Sequence, residues 1–153
     1  MTSSQVIDEL DRDGLQYELI AHPRTMTARA EANAIGIAAH EVAKTVVLAT
    51  SAGYVRAVVP ASERLDLHKA RELLDDRECR LATEEELGAA YPAFELGAVP
   101  PFGGPAGDRV VVDRRLAELD AVVVEAGSHD QSVRLRTSDL LAHSGAEVAD
   151  ISA

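Results

Sequence analysis

The sequence predicts an α/β (α+β) domain, a mixed sheet with helices packed around it. Three observations carry this prediction. Short Val-rich runs bounded by turn residues recur along the chain and read as strands. Amphipathic segments fall between them, without the regular strand–helix alternation of a parallel sheet. The length, 153 residues, suits one domain spanning 1–153, enough to bury roughly 70% of the surface an unfolded chain exposes. Aromatic residues make up only 3% and Trp is absent, so the core is expected to be aliphatic.

The elements follow in order. Ser4 is a candidate N-cap for a first helix, with Val6, Ile7 and Leu10 on one face and Gly14 as its stop. Leu15 to Leu19 alternates as a half-buried strand and ends at His22-Pro23. Thr27 caps an Ala-rich helix that stops at Gly36. A short helical run, Ala39 to Ala43, leads into a strand from Lys44 to Thr50. A second strand from Tyr54 to Pro60 follows Ser51-Ala52-Gly53, which makes the pair a hairpin.

Asp66 caps a helix to Leu74, and Glu78 to Leu81 is a short strand. Thr83 with Glu86 three residues later forms a capping box for a helix ending near Tyr91. The stretch 92–108 holds four of the six prolines and reads as irregular; a loop this long inside a compact domain is usually functional or disordered. Strands are expected at Arg109 to Val112, Ala121 to Glu125 and Val133 to Arg136. Ser138 caps a last helix, and Glu147 to Ile151 closes the sheet.

Composition narrows the function classes. Acidic residues outnumber basic ones 26 to 15, giving a net charge of −11. A nucleic-acid partner must then be gripped locally, because backbone-wrapping proteins carry a basic face, and a DNA partner is not expected. Cys79 is the only cysteine, so no intrachain disulfide can form and a reducing compartment is expected. The opening residues lack the basic and apolar regions of a signal peptide, and no apolar run approaches the roughly 20 residues of a membrane helix. A cytoplasmic protein is expected.

Two elements could build an anion-handling site. Lys44 places one ammonium at a strand entrance, where it could hold a phosphate or orient a carbonyl; it could equally be a strand-edge lysine with a solvated head. The segment Gly97 to Pro105 combines glycines, which allow close backbone approach, with prolines that hold the flanking chain extended. Such a loop can present N–H groups as an oxyanion-type surface, or simply be stiffened for stability. His129, in the turn Gly127-Ser128-His129-Asp130, and His22 are further candidates for a pocket donor, acid or base, each also readable as an ordinary turn residue. No serine-nucleophile elbow, phosphate loop or dinucleotide fingerprint is present. With one Cys and no His-x-x-x-His pair, a structural zinc is not expected.

Taken together, the ordered blocks resemble the YbaK/EbsC family of prolyl-tRNA-synthetase-associated editing domains. The matching residues are His22-Pro23, Thr27, Glu31-Ala32 and Ala43-Lys44-Thr45-Val46-Val47-Leu48. Ala57-Val58-Val59-Pro60, Arg64-Leu65-Asp66, Leu81-Ala82 and Glu85-Glu86-Leu87 follow. Gly97-x-x-x-Pro101 with Phe102-Gly103, Asp113, Gly127-Ser128-His129 and Ser138-Asp139-Leu140 complete a resemblance covering residues 4 to 151.

The resemblance implies a barrel-like mixed sheet surrounded by helices. It implies a stand-alone deacylase, acting in trans on mischarged tRNA without a metal or other cofactor. The tRNA for proline, carrying a wrong small amino acid such as Cys or Ala, is the implied substrate. Lys44 would position the terminal ribose or aminoacyl carbonyl. Gly97, Ala98, Val99, Pro100 and Pro101 would line the aminoacyl pocket, with Thr45, Gly127, His129 and His22 as further substrate contacts. Water, the ribose hydroxyl or a substrate thiol would attack. Only the acceptor end of the tRNA would be bound, with prolyl-tRNA synthetase or an elongation factor as a further partner. Members differ at the position after the lysine, here Thr45, and near position 129, so the resemblance does not set the amino-acid preference. The alternative is a non-catalytic module that keeps the fold and binds a small ligand or a protein.

Overall fold

The computed structural model describes residues 2–103 and 108–153, so Gly104 and Pro105 of the predicted loop lie outside the described residues. Helix α1 (Thr2–Arg12) leads to strand β1 (Tyr17–Ala21) and helix α2 (Ala28–Ile35). The hairpin β2 (Val42–Thr50) and β3 (Gly53–Pro60) follows a 3-10 turn at Ala39–Glu41. Helix α3 (Leu67–Leu74), strand β4 (Arg80–Leu81) and helix α4 (Glu84–Ala90) precede the irregular stretch. Strand β5 (Arg109–Asp113), helix α5 (Arg114–Ala117), strands β6 (Ala121–Glu125) and β7 (Gln131–Arg136), helix α6 (Thr137–Ser144) and strand β8 (Glu147–Ala149) finish the chain.

The local signals act as their chemistry requires. Thr27 Oγ1 accepts from the Ala30 amide, and Gly36 closes α2 in the left-handed region at φ 83°. Asp66 accepts from the amides of His68 and Lys69 at the start of α3. The Thr83–Glu86 box is reciprocal, each side chain accepting from the other residue's amide. Several expected bounds need correction: the helical run from Ala39 stops at Glu41 and β2 starts at Val42, β4 is only Arg80–Leu81, and the closing strand ends at Ala149. Helix α1 begins before Ser4. Helix α6 begins at Thr137 behind Arg136, which makes no side-chain cap, so Ser138 lies inside the first turn rather than at the N-cap. The strand expected at Leu15 to Leu19 is shifted to Tyr17–Ala21, where its register on Gln131–Leu135 of β7 is set by the partner strand.

The eight strands form one mixed sheet in the order β1-β7-β6-β2-β3-β5-β8, with β4 added to β2. Strand β2 is antiparallel to β3 and parallel to β6, and β5 runs parallel to both β3 and β8. Alternation sends successive side chains to opposite faces. Val58, Val110, Val112, Val122 and Val124 join α1 and α6 in one core, while Ala57, Val59 and Val111 join Leu48 and α3 in another. A third, smaller cluster joins Ala28 and Ala32 of α2 to Val42 and Val123. That last contact puts α2 against the entrance of β2, and with it the residues that follow Val42.

Two buried polar residues organise the rest. Asp113 caps α5 through the Arg115 amide and accepts the amides of Ile151 and Ser152, fastening the C-terminal segment. Arg56, 2% exposed, donates to Asp108 and to the carbonyls of Pro100 and Gly103, and its guanidinium lies 4.9 Å from the centre of the Tyr91 ring.

Candidate functional site

Lys44 stands two residues after Val42 on the strand face that α2 covers. One open cavity of about 340 Å³ is lined there by Thr27, Ala28, Arg29, Lys44, Thr45, Ala61, Gly97 and Glu125. The two elements that the sequence picked out thus meet across one space. Lys69, the other lysine of the chain, is engaged with Asp150 and the Ser152 carbonyl. Burial, followed by the nearby Arg29 and Arg64 guanidinium groups, holds the Lys44 ammonium below the usual lysine range. Lys44 and Arg29 therefore line this cavity together, with Arg64 close enough to act on Lys44, in a chain of net charge −11.

Gly97 adopts φ +81°, the left-handed region. A β-carbon there would also come 3.4 Å from Cε1 of His129, at the near edge of ordinary van der Waals contact. The loop is tied to the turn between β6 and β7: the Glu95 amide donates to Gly127 O at 2.9 Å, and His129 Nε2 donates to Leu96 O at 2.6 Å. Gly127 and His129 thus support the loop carrying Gly97. His129 is 2% exposed.

The other expected contacts separate into those at the cavity and those behind it. Thr45 lines it. Ala98, Val99, Pro100 and Pro101 are buried and point their mass into the interior, with Val99 in the main core and Pro100 O held by Arg56. Only Gly97 of the Gly-x-x-x-Pro segment borders the space. His22 sits on the far side of Glu31: its Nε2 is 2.9 Å from Ser132 Oγ, which in turn donates to Glu31.

Sequence reasoning missed Glu125 as a site residue. At the end of Ala121-Val122-Val123-Val124 it reads as a solvated strand terminus, yet its side chain is only 12% exposed and borders the cavity. Burial, then the carboxylates of Glu31 and Glu95, push Glu125 up to about 9. Burial likewise raises Glu31 to about 7. A neutral carboxylic acid at neutral pH is able to donate a hydrogen bond. Among the described residues no group of three or more His, Cys, Asp or Glu side chains is arranged to hold a metal ion, and no helix is long and apolar enough to cross a membrane.

Lys44 and Gly97 border the same open cavity, and comparison with known proteins identifies the family. The aminoacyl-tRNA editing domain family matches residues 22–142. The chain belongs to that family. Two proline–tRNA ligases from strains of Xanthomonas oryzae pv. oryzae are each 34% identical over 117 residues, 72% of this chain. The chain spans about a fifth of the length of these relatives, 20%. A crystal structure described as a candidate trans-editing enzyme for prolyl tRNA synthetase superposes with a TM-score of 0.91 at 29% identity, covering 99% of this editing domain and 97% of that chain. A hypothetical protein of known structure superposes at 0.89 and 28% identity, covering 97% and 99% respectively. The mixed sheet with surrounding helices is therefore the editing-domain fold.

Proposed function

We propose that this editing domain hydrolyses the ester between a wrong amino acid and its tRNA, acting in trans in the cytoplasm, with tRNA for proline carrying Ala or Cys as the substrate. The observation that carries the reading is that Lys44 and Gly97 line the same cavity. An aminoacyl ester is already activated, so the site needs orientation and carbonyl polarisation more than a strong nucleophile. Lys44, partly desolvated, is the donor for the carbonyl or terminal ribose. Gly97 is the wall that limits the side chain. Discrimination by a methylene gives a synthetase only about 1–3 kcal/mol, which is why a second sieve is useful.

Metal-free cleavage, attack by water, ribose hydroxyl or substrate thiol, and a helper such as prolyl-tRNA synthetase or an elongation factor belong to the same proposal. The test is a panel of alanyl, cysteinyl, seryl and prolyl esters on tRNA for proline. Release of one non-cognate amino acid well above the buffer rate is expected. Release of none would leave the non-catalytic binding module as the reading.

Two further results are expected. Gly97→Ala must place a side chain at positive φ, which costs roughly 1–2 kcal/mol, and the added carbon meets His129. Turnover should fall more for larger amino acids than for smaller ones; an unchanged selectivity profile would make the loop purely structural. Binding of tRNA should depend weakly on salt, because among the described residues the cations at or beside the cavity are Lys44, Arg29 and Arg64. With about −0.7 in slope per single-strand phosphate neutralised, a log–log slope no steeper than about −2 is expected. A much steeper slope would require a basic surface elsewhere.

A further inference from the structure

The cavity is electrically polar. Its lining includes Lys44 and Arg29, with Arg64 close enough to act on Lys44, and also the buried Glu125, with Glu31 from α2 and Glu95 from the loop before Gly97 close enough to act on it. Arg24 pairs with Glu95 at 3.0 Å. Among the described residues neither Glu31 nor Glu125 forms an ion pair with a lysine or arginine. Two buried atoms here also lack a hydrogen-bond partner: Glu31 Oε1 and His129 Nδ1. The latter faces Glu125 Oε2 at 3.6 Å. Leu96 O can only accept, so His129 Nε2 bears the proton and Nδ1 is left as a free acceptor in the neutral ring. The interior thus holds carboxylates in excess, polar atoms to spare and no cation of its own. Buried polar groups are ordinarily hydrogen-bonded.

We propose that Glu125 is the residue that recognises the α-ammonium group of the aminoacyl ester, with Glu31 and His129 behind it, so that the pocket selects esters of free amino acids over N-blocked ones. This rests on the deacylase reading for its ligand class. The charge pattern matches such a ligand along its length, since an aminoacyl-RNA end carries phosphate at one side of the ester and ammonium at the other. Glu125 holds its proton while the pocket is empty, because burial and the neighbouring carboxylates disfavour a further negative charge. An entering ammonium reverses that balance, since an opposite charge at close range favours the ionised form. The proton leaves to solvent through the open cavity, and the resulting carboxylate accepts hydrogen bonds from the ammonium. Lys44 and Arg29, which line the same cavity, remain on the phosphate side.

The experiment uses the whole protein and an acceptor-stem RNA ending in 3′-amino-3′-deoxyadenosine. Alanine is attached by an amide that is not cleaved, with its amino group either free or acetylated. Wild-type protein should bind the free form about 10-fold or more tightly than the acetylated form, the scale expected of charge-assisted hydrogen bonds. Glu125→Gln, which keeps shape and neutrality, should bring the two affinities close to equal. If that variant does not fold, Glu125→Asp withdraws the carboxylate and should lose the same preference. Equal binding of both forms by wild type, or a preference that survives these substitutions, overturns the assignment. The deacylase reading fails separately: a preference dependent on Glu125, with no ester cleavage on the mischarged panel, would keep the ammonium site and discard the hydrolase.

Discussion

Lys44→Ala is expected to lower ester cleavage by at least about 100-fold while leaving the protein folded, the size seen when one positioned donor to a developing oxyanion is removed. The backbone of Lys44 is fixed by pairing with Val59 in the hairpin, which alanine preserves. Its side chain is partly exposed at the cavity and carries no ion pair among the described residues, so truncation removes little packing. Single-turnover cleavage of mischarged tRNA, with circular dichroism on the same sample, separates the two effects. Near-normal cleavage would mean that Lys44 is a strand-edge lysine with a solvated head, and that the Gly97 wall faces some other polarising group.

The second large effect is expected at Arg56. Arg56→Ala removes a guanidinium that pairs with Asp108 at 3.0 Å and holds the carbonyls of Pro100 and Gly103. It leaves Asp108, itself 6% exposed, as a buried uncompensated charge. Breaking one partner of such a pair costs about 3–5 kcal/mol, to be read as a drop in the urea midpoint. Arg56→Lys should restore only part of this, because one ammonium cannot span three acceptors as the planar fork does. A loss below about 1 kcal/mol would show that the network is dispensable.

Much of the fold was legible because its signals are local. The capping atoms of Thr27, Asp66 and Thr83 lie within three residues of what they cap, and the β2–β3 hairpin closes over Ser51-Ala52-Gly53. The one-turn helix α5 was not, because its cap Asp113 is held by amides of Ile151 and Ser152, far along the chain. The parallel pairings of β2 with β6 and of β5 with β3 and β8 bring together strands distant in sequence, and nothing in either strand names its partner.

At the site, Lys44 and Gly97 were readable as unusual residues in an ordered pattern. The expectation that all of Gly97 to Pro101 would border the pocket treated the segment as exposed backbone, and the pull of Arg56 on Pro100 O from the core side was not foreseen. A signal existed: one arginine amid Val55, Ala57, Val58 and Val59 needs a buried acceptor. Glu125 offered no comparable cue, since its character comes from the approach of Glu31 and Glu95 in space.

The position of Lys44 within β2 has a dynamic consequence. This strand has neighbours on both sides, β3 along its whole length and β6 at Val42 and Ala43, immediately before the lysine. Freeing the lysine backbone would require peeling apart the middle of the sheet, so its amide should exchange with deuterium only on the slowest, global opening. The Gly97 segment belongs to no strand; single hydrogen bonds to the β6–β7 turn and from Arg56 hold it, and these can give way before the sheet does. On the deacylase reading, the charge at Lys44 and the Gly97 wall would then lose their order at different rates, and gentle warming should blur which amino acid is accepted well before it stops the reaction.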